Sequence, residues 1–112
     1  MSTLVPFRNL DVDESGDLVL GLKTRLKGYH IYNNASSTRY IKFYDKKIAP
    51  TVGTDTPKMT VPLPAGSAAN IMFGEDSVPF DYGIGVGATT AVADNDTGAP
   101  GANDVVVLFY LG

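Results

Sequence analysis

At 112 residues, with 44% hydrophobic and 19% charged side chains, the chain has the make-up of one globular domain (1–112), too short for two cores and too apolar for disorder. It contains no cysteine, which excludes disulfides, thiolate-held zinc and thiol catalysis. A net charge of −3 argues against general nucleic-acid binding, for which a basic footprint is expected.

Residues 1–11 carry Leu4, Val5, Phe7 and Leu10 around Pro6, a pattern that suits either an arm docking on a neighbouring molecule or an ordinary first strand. This start has no apolar run of signal-peptide length, and no later segment approaches a membrane span, so synthesis in the cytoplasm is expected. After the turn-like Asp13–Asp17, Leu18–Leu22 reads as a short strand. Arg25–Asn33 follows, rich in aromatic and β-branched residues, and then the loop Asn33–Ser37. In Thr38–Asp45, Arg39, Ile41 and Phe43 alternate with Tyr40, Lys42 and Tyr44. With the five-residue loop between them, these two runs are expected to form an antiparallel hairpin.

Lys46–Pro57 is polar and broken by Pro50, Gly53 and Pro57, which reads as a long excursion. Lys58–Leu63 returns to period two, with Met59, Val61 and Leu63 on one face. Pro62 lacks a backbone donor and places this strand at a sheet edge. Ala69–Phe73 is another short strand. Phe80–Ala88 alternates most cleanly: Phe80, Tyr82, Ile84, Val86 and Ala88 on one side, Asp81, Gly83, Gly85 and Gly87 on the other. Glycines in that position imply close approach of another backbone or a large ring. Val105–Leu111 is apolar on both faces and is expected in the middle of a sheet. No segment shows a sustained helical period, so the fold class is all-β: a single antiparallel, jelly-roll-like β-sandwich of six to eight strands.

Charge is unevenly distributed along the chain. All nine basic residues lie at or before Lys58, against six acidic ones, a net of +3; from Met59 onward six acidic residues stand alone. This either polarises the molecule or is erased when the sheets mix the two halves.

The groups that could carry chemistry are few. His30, the one histidine, shares a predicted strand face with Leu26, Gly28 and Tyr32 and reads as a hydrogen-bonded packing residue. Asp11, Asp13 and Ser15 with Gly16 follow the opening of a calcium loop, but Leu22 stands where the bidentate glutamate belongs; the segment reads as a solvated turn. Asp94, Asn95, Asp96 and Asp104 form a second acidic group. Gly83, Gly85 and Gly87 lack the following helix of a phosphate-binding loop. No Gly-x-Ser-x-Gly motif occurs, so no catalytic, cofactor-binding or metal-binding residues are assigned and the chain is not read as an enzyme. Six tyrosines (Tyr29, Tyr32, Tyr40, Tyr44, Tyr82 and Tyr110) fit sheet packing, a protein interface or a sugar platform.

Gly28–Asn33, Tyr40–Asp45 and Pro57–Gly66, with the glycine-bearing strand and the closing Asp104–Tyr110, resemble the small β-sandwich virion proteins of tailed bacteriophages. The resemblance spans about three quarters of the chain and rests on packing residues. It implies a capsid decoration (cement) protein on the virion surface, partnered by the major capsid protein and by further copies of itself, trimers being common in that group. Neither nucleic acid, membrane nor small-molecule substrate is implied. The alternative it leaves is a carbohydrate- or receptor-binding module of a tail or fibre.

Overall fold

A computed structural model describes residues 4–112. Short alternating runs separated by glycine and proline give nine strands and no helix among them. They are β1 (Val5–Asn9), β2 (Asp17–Leu20), β3 (Thr24–Asn33), β4 (Arg39–Asp45) and β5 (Met59–Leu63). After these come β6 (Ala68–Met72), β7 (Val78–Phe80), β8 (Ile84–Thr89) and β9 (Val105–Leu111). Every pairing is antiparallel. One sheet runs β1-β9-β3-β6, with β7 continuing beside β6 along β3; the other runs β2-β8-β4-β5.

The order is that of a jelly roll. The pairs β1 with β9, β2 with β8, β3 with β6 and β7, and β4 with β5 nest like one long hairpin, whose tip is the 46–58 connection. Rolling that hairpin makes every pairing join a strand before Lys58 to one after it. The charge asymmetry is therefore mixed rather than displayed, and Arg39 from the basic half meets Asp104 from the acidic half at 3.2 Å.

The core lies between the sheets. Phe43 and Phe109 are fully buried with ring centroids 5.1 Å apart, and Tyr29 meets Phe43 at 6.1 Å. Ile31, Ile41, Leu63, Phe80, Ile84, Val86 and Val107 fill the same space. Each such side chain contributes roughly 1.5–3 kcal/mol by leaving water.

The sequence-based readings are met at several points. β9 is interior, with Val105, Val107, Phe109 and Leu111 facing the core, and β5 with its Pro62 is an edge strand. Residues 1–11 read as either a docking arm or an ordinary first strand, and residues 5–9 form the latter, the edge strand β1 paired along its length with β9; residues 1–3 lie outside the described residues.

Other readings change. β3 and β4 do not form a hairpin: they belong to opposite sheets, and their inner faces meet across the core through Tyr29 and Phe43. The 34–38 loop crosses from one sheet to the other, held by buried Asn33. The Nδ2 of Asn33 donates to Leu63 O and Ser37 O at 3.0 Å and to Pro64 O at 3.3 Å, and its Oδ1 accepts from Ala35 N–H at 2.8 Å. The long Phe80–Ala88 alternation is broken at 81–83, so that β7 lies in one sheet and β8 in the other, which raises the strand count above eight. Asp45 holds that crossover, accepting from Asp81 N–H at 3.0 Å and Tyr82 N–H at 2.9 Å. Tyr82 is turned out to solvent as a result.

Candidate interaction surfaces

The two outer faces of the sandwich differ. On the β2-β8-β4-β5 sheet, Tyr40, Lys42 and Tyr44 of β4 stand beside Thr89, Gly87 and Gly85 of β8. The 46–57 excursion lies back over them: a Cβ on Gly85 would sit 2.7 Å from Pro50 Cδ, and one on Gly87 2.6 Å from Val52 Cγ2. Close approach at the glycines thus comes from loop side chains at 85 and 87 and from backbone at 83, where a Cβ would lie 2.5 Å from Lys46 O. Asp55 staples the excursion, its Oδ2 accepting from Lys46 Nζ and Thr51 N–H, both at 2.7 Å. The Lys46 contact, with the Thr51 amide, holds the Asp55 carboxyl below its ordinary range.

Covering this face buries polar groups. Lys42 is fully buried and donates to Ala93 O at 2.6 Å. Burial lowers its pKa, opposed by Asp96 and Asp94 nearby. The Tyr44 hydroxyl is buried without a hydrogen-bond partner among the described residues. Its pKa is pushed up to about 12 by burial, then by the charges of Asp55 and Asp94. Neither residue was legible as buried from sequence, because both lie on the side of β4 that alternation assigns to solvent.

The outer face of the other sheet is open. Its rows are Pro6–Tyr110–Gly28–Met72 and Arg8–Leu108–His30–Asn70, followed by Val106–Tyr32–Ala68. A register shift between Leu26 and Gly28 turns Leu26 into the core, so His30 shares its face with Gly28 and Tyr32 but not with Leu26. The predicted packing role of His30 is met in an exposed setting: Nδ1 lies 2.7 Å from Asn70 Oδ1 and the ring stands edge-on to Tyr110 at 5.5 Å. Arg8, His30, Tyr32, Asn70 and Leu108 rim an open depression of about 210 Å³. This is smaller than the ~300 Å³ at which small-molecule sites begin.

The tyrosines divide accordingly. Tyr29 and Tyr44 are buried, while Tyr32 is exposed on the open face and Tyr110 half-buried there.

The acidic groups are not gathered. Asp11 accepts from Asn103 N–H at 2.9 Å, Asp13 from Ser15, and Asp17 from Asn9 Nδ2 at 3.1 Å. Asp96 accepts from Gly98 N–H at 3.0 Å, and Asp104 from Gly101 N–H at 2.7 Å and from Arg39. Among the described residues no three histidine or carboxylate side chains come together as metal ligands. These loops use their carboxylates to terminate backbone.

Compared with family models, curated proteins and solved structures, the chain finds no match in any of them.

Proposed function

We propose that this protein is a structural component of a virion, a decoration protein that binds the outside of a tailed-phage capsid. The observation that carries the reading is the contrast between the two faces. One is closed by the chain's own loops. The other presents Tyr32, Met72, Val106, Leu108 and Tyr110, with Arg8, His30 and Asn70 interspersed and Lys27 at its margin. An open apolar-aromatic face of this kind suits another protein surface, since aromatic and arginine side chains are the ones that anchor such contacts.

The test is co-sedimentation of the purified chain with shells of the parent phage that lack it. Saturable binding is expected, and Tyr32→Asp and Leu108→Asp should each weaken it while leaving the fold intact. Absence of binding to both mature and immature shells would overturn the reading.

A second reading rests on the depression itself, where Tyr32 is bordered by the polar groups of Arg8, His30 and Asn70. An aromatic platform with such neighbours also suits a sugar ring on a tail or fibre module. Binding on a glycan array that Tyr32→Ala abolishes would favour it over the capsid.

A further inference from the structure

The free edges of the two sheets are not alike. β1 carries Pro6 and Arg8, β5 carries Pro62 and β7 carries Pro79. β2 is four residues long and its pairing is interrupted between Leu18 and Leu20. These are the devices by which proteins keep strand edges from pairing with other chains. β6, Ala68-Ala69-Asn70-Ile71-Met72, has none of them: it carries no proline and no charge, and its register against β3 is unbroken.

Its backbone is also correctly disposed. Asn33 N–H donates to Ser67 O and Phe73 N–H to Lys27 O, which fixes the odd-numbered residues as those bonded to β3. In an antiparallel ladder the alternate residues direct their N–H and C=O to the other side. Ala68, Asn70 and Met72 therefore present theirs to solvent.

We infer that β6 pairs antiparallel with β6 of a second copy of this chain, about a two-fold axis at Asn70, making one continuous sheet across the dimer. In that register Ala68 faces the partner's Met72, Asn70 faces the partner's Asn70, and Met72 faces the partner's Ala68, all hydrogen-bonded pairs. On the inner face Ile71 falls beside the partner's Ala69. Large meets small at each non-axial position, and Ile71 and Met72, 40% and 52% exposed in one chain, gain cover. Glu75 and Asp76, just beyond the strand, fall at opposite ends of the contact and do not oppose each other. An isologous contact of this kind closes at two copies, where the virion resemblance implies three. It does not rest on the capsid reading.

The test combines sedimentation velocity of the full chain over a concentration series with residue-resolved amide hydrogen exchange. A dimer is expected. Exchange at Ala68, Asn70 and Met72 should slow about tenfold or more with rising concentration, while Ala69 and Ile71, already bonded to β3, change little. Asn70→Lys and Asn70→Asp each place like charges across the axis and should weaken the dimer roughly tenfold or more, and an equimolar mixture should recover it. A chain that stays monomeric, a trimer with those three amides unprotected, or a dimer indifferent to Asn70→Lys would overturn the inference. Since capsid binding is read separately by co-sedimentation, failure of one leaves the other standing.

Discussion

Asn33→Ala tests the account of how the chain crosses between sheets. The side chain is fully buried and bonds groups from both sides of the crossing. Its loss would strip partners from Leu63 O and Ala35 N–H, both in buried bonds; Ser37 O and Pro64 O are only partly buried and can turn to water. An orphaned buried backbone group costs about 1–3 kcal/mol. Two of them predict a loss of about 3 kcal/mol, a large part of the ~5–15 kcal/mol stability of a domain this size. At roughly 4 °C or more per kcal/mol, the melting temperature should fall by over ~10 °C. Urea unfolding followed by far-UV circular dichroism measures the change, with an unaltered m-value confirming that the native surface is kept.

Asn33→Asp sharpens the test. It keeps the acceptor for Ala35 N–H but turns a donor into an anion against three carbonyl oxygens. At pH 7 it should cost more than Asn33→Ala. Its folded-state pKa should lie above the unfolded one, because only the protonated acid can donate. Its deficit should therefore shrink as pH falls through that raised value and be smallest below about pH 4, the ordinary aspartate pKa. A cost under ~1 kcal/mol for Asn33→Ala, or an Asn33→Asp deficit independent of pH, would refute the assigned role.

Three further outcomes are expected. Asp45→Asn should destabilise the β7–β8 crossover, with the difference from the parent protein confined to neutral pH. Burial alone would raise the Asp45 pKa, but the Tyr82, Asp81 and Gly83 amides and Lys58 hold it below 3.8, so its stabilisation is present above that value and lost as pH falls below it. Equal effects at pH 7 and pH 2 in denaturant titrations would count against this. Tyr44→Phe should leave stability unchanged or raise it by up to about 1 kcal/mol, since it removes a buried hydroxyl without a partner among the described residues. It should also reduce alkaline unfolding: a phenol raised to about 12 keeps its full contribution below pH 10 and loses it between about 10 and 12. A clear destabilisation at neutral pH would mean that the hydroxyl is bonded. Gly83→Ala should cost about 3 kcal/mol, because its Cβ meets two backbone carbonyls that cannot both retreat, those of Leu20 and Lys46. Gly85→Ala, opposed by the Pro50 ring of a loop, should cost less in the same thermal melts.

Strand identity was largely written in local pattern. Period-two runs marked most strands, Pro62 marked an edge, and the apolar run at 105–111 marked an interior strand, because each depends on neighbours one or two residues away. The face carrying His30 was legible except at Leu26, where the bulge resets the alternation. Which strands share a sheet was not legible. A short loop between two alternating runs looks the same whether they pair side by side or face each other across a core, and the difference lies in where Asn33 finds carbonyls 30 residues away. Nor could alternation alone show that Lys42 and Tyr44 would be covered, since that depends on a polar loop folding back onto glycines. Composition and periodicity by themselves determined an all-β chain with most of these strands and most of this hydrophobic set, but not the break at 81–83 that separates β7 from β8. Only tertiary structure decided the rolled-hairpin order, the mixing of charge between its halves and which face was left open, because each depends on contacts between residues far apart in the chain.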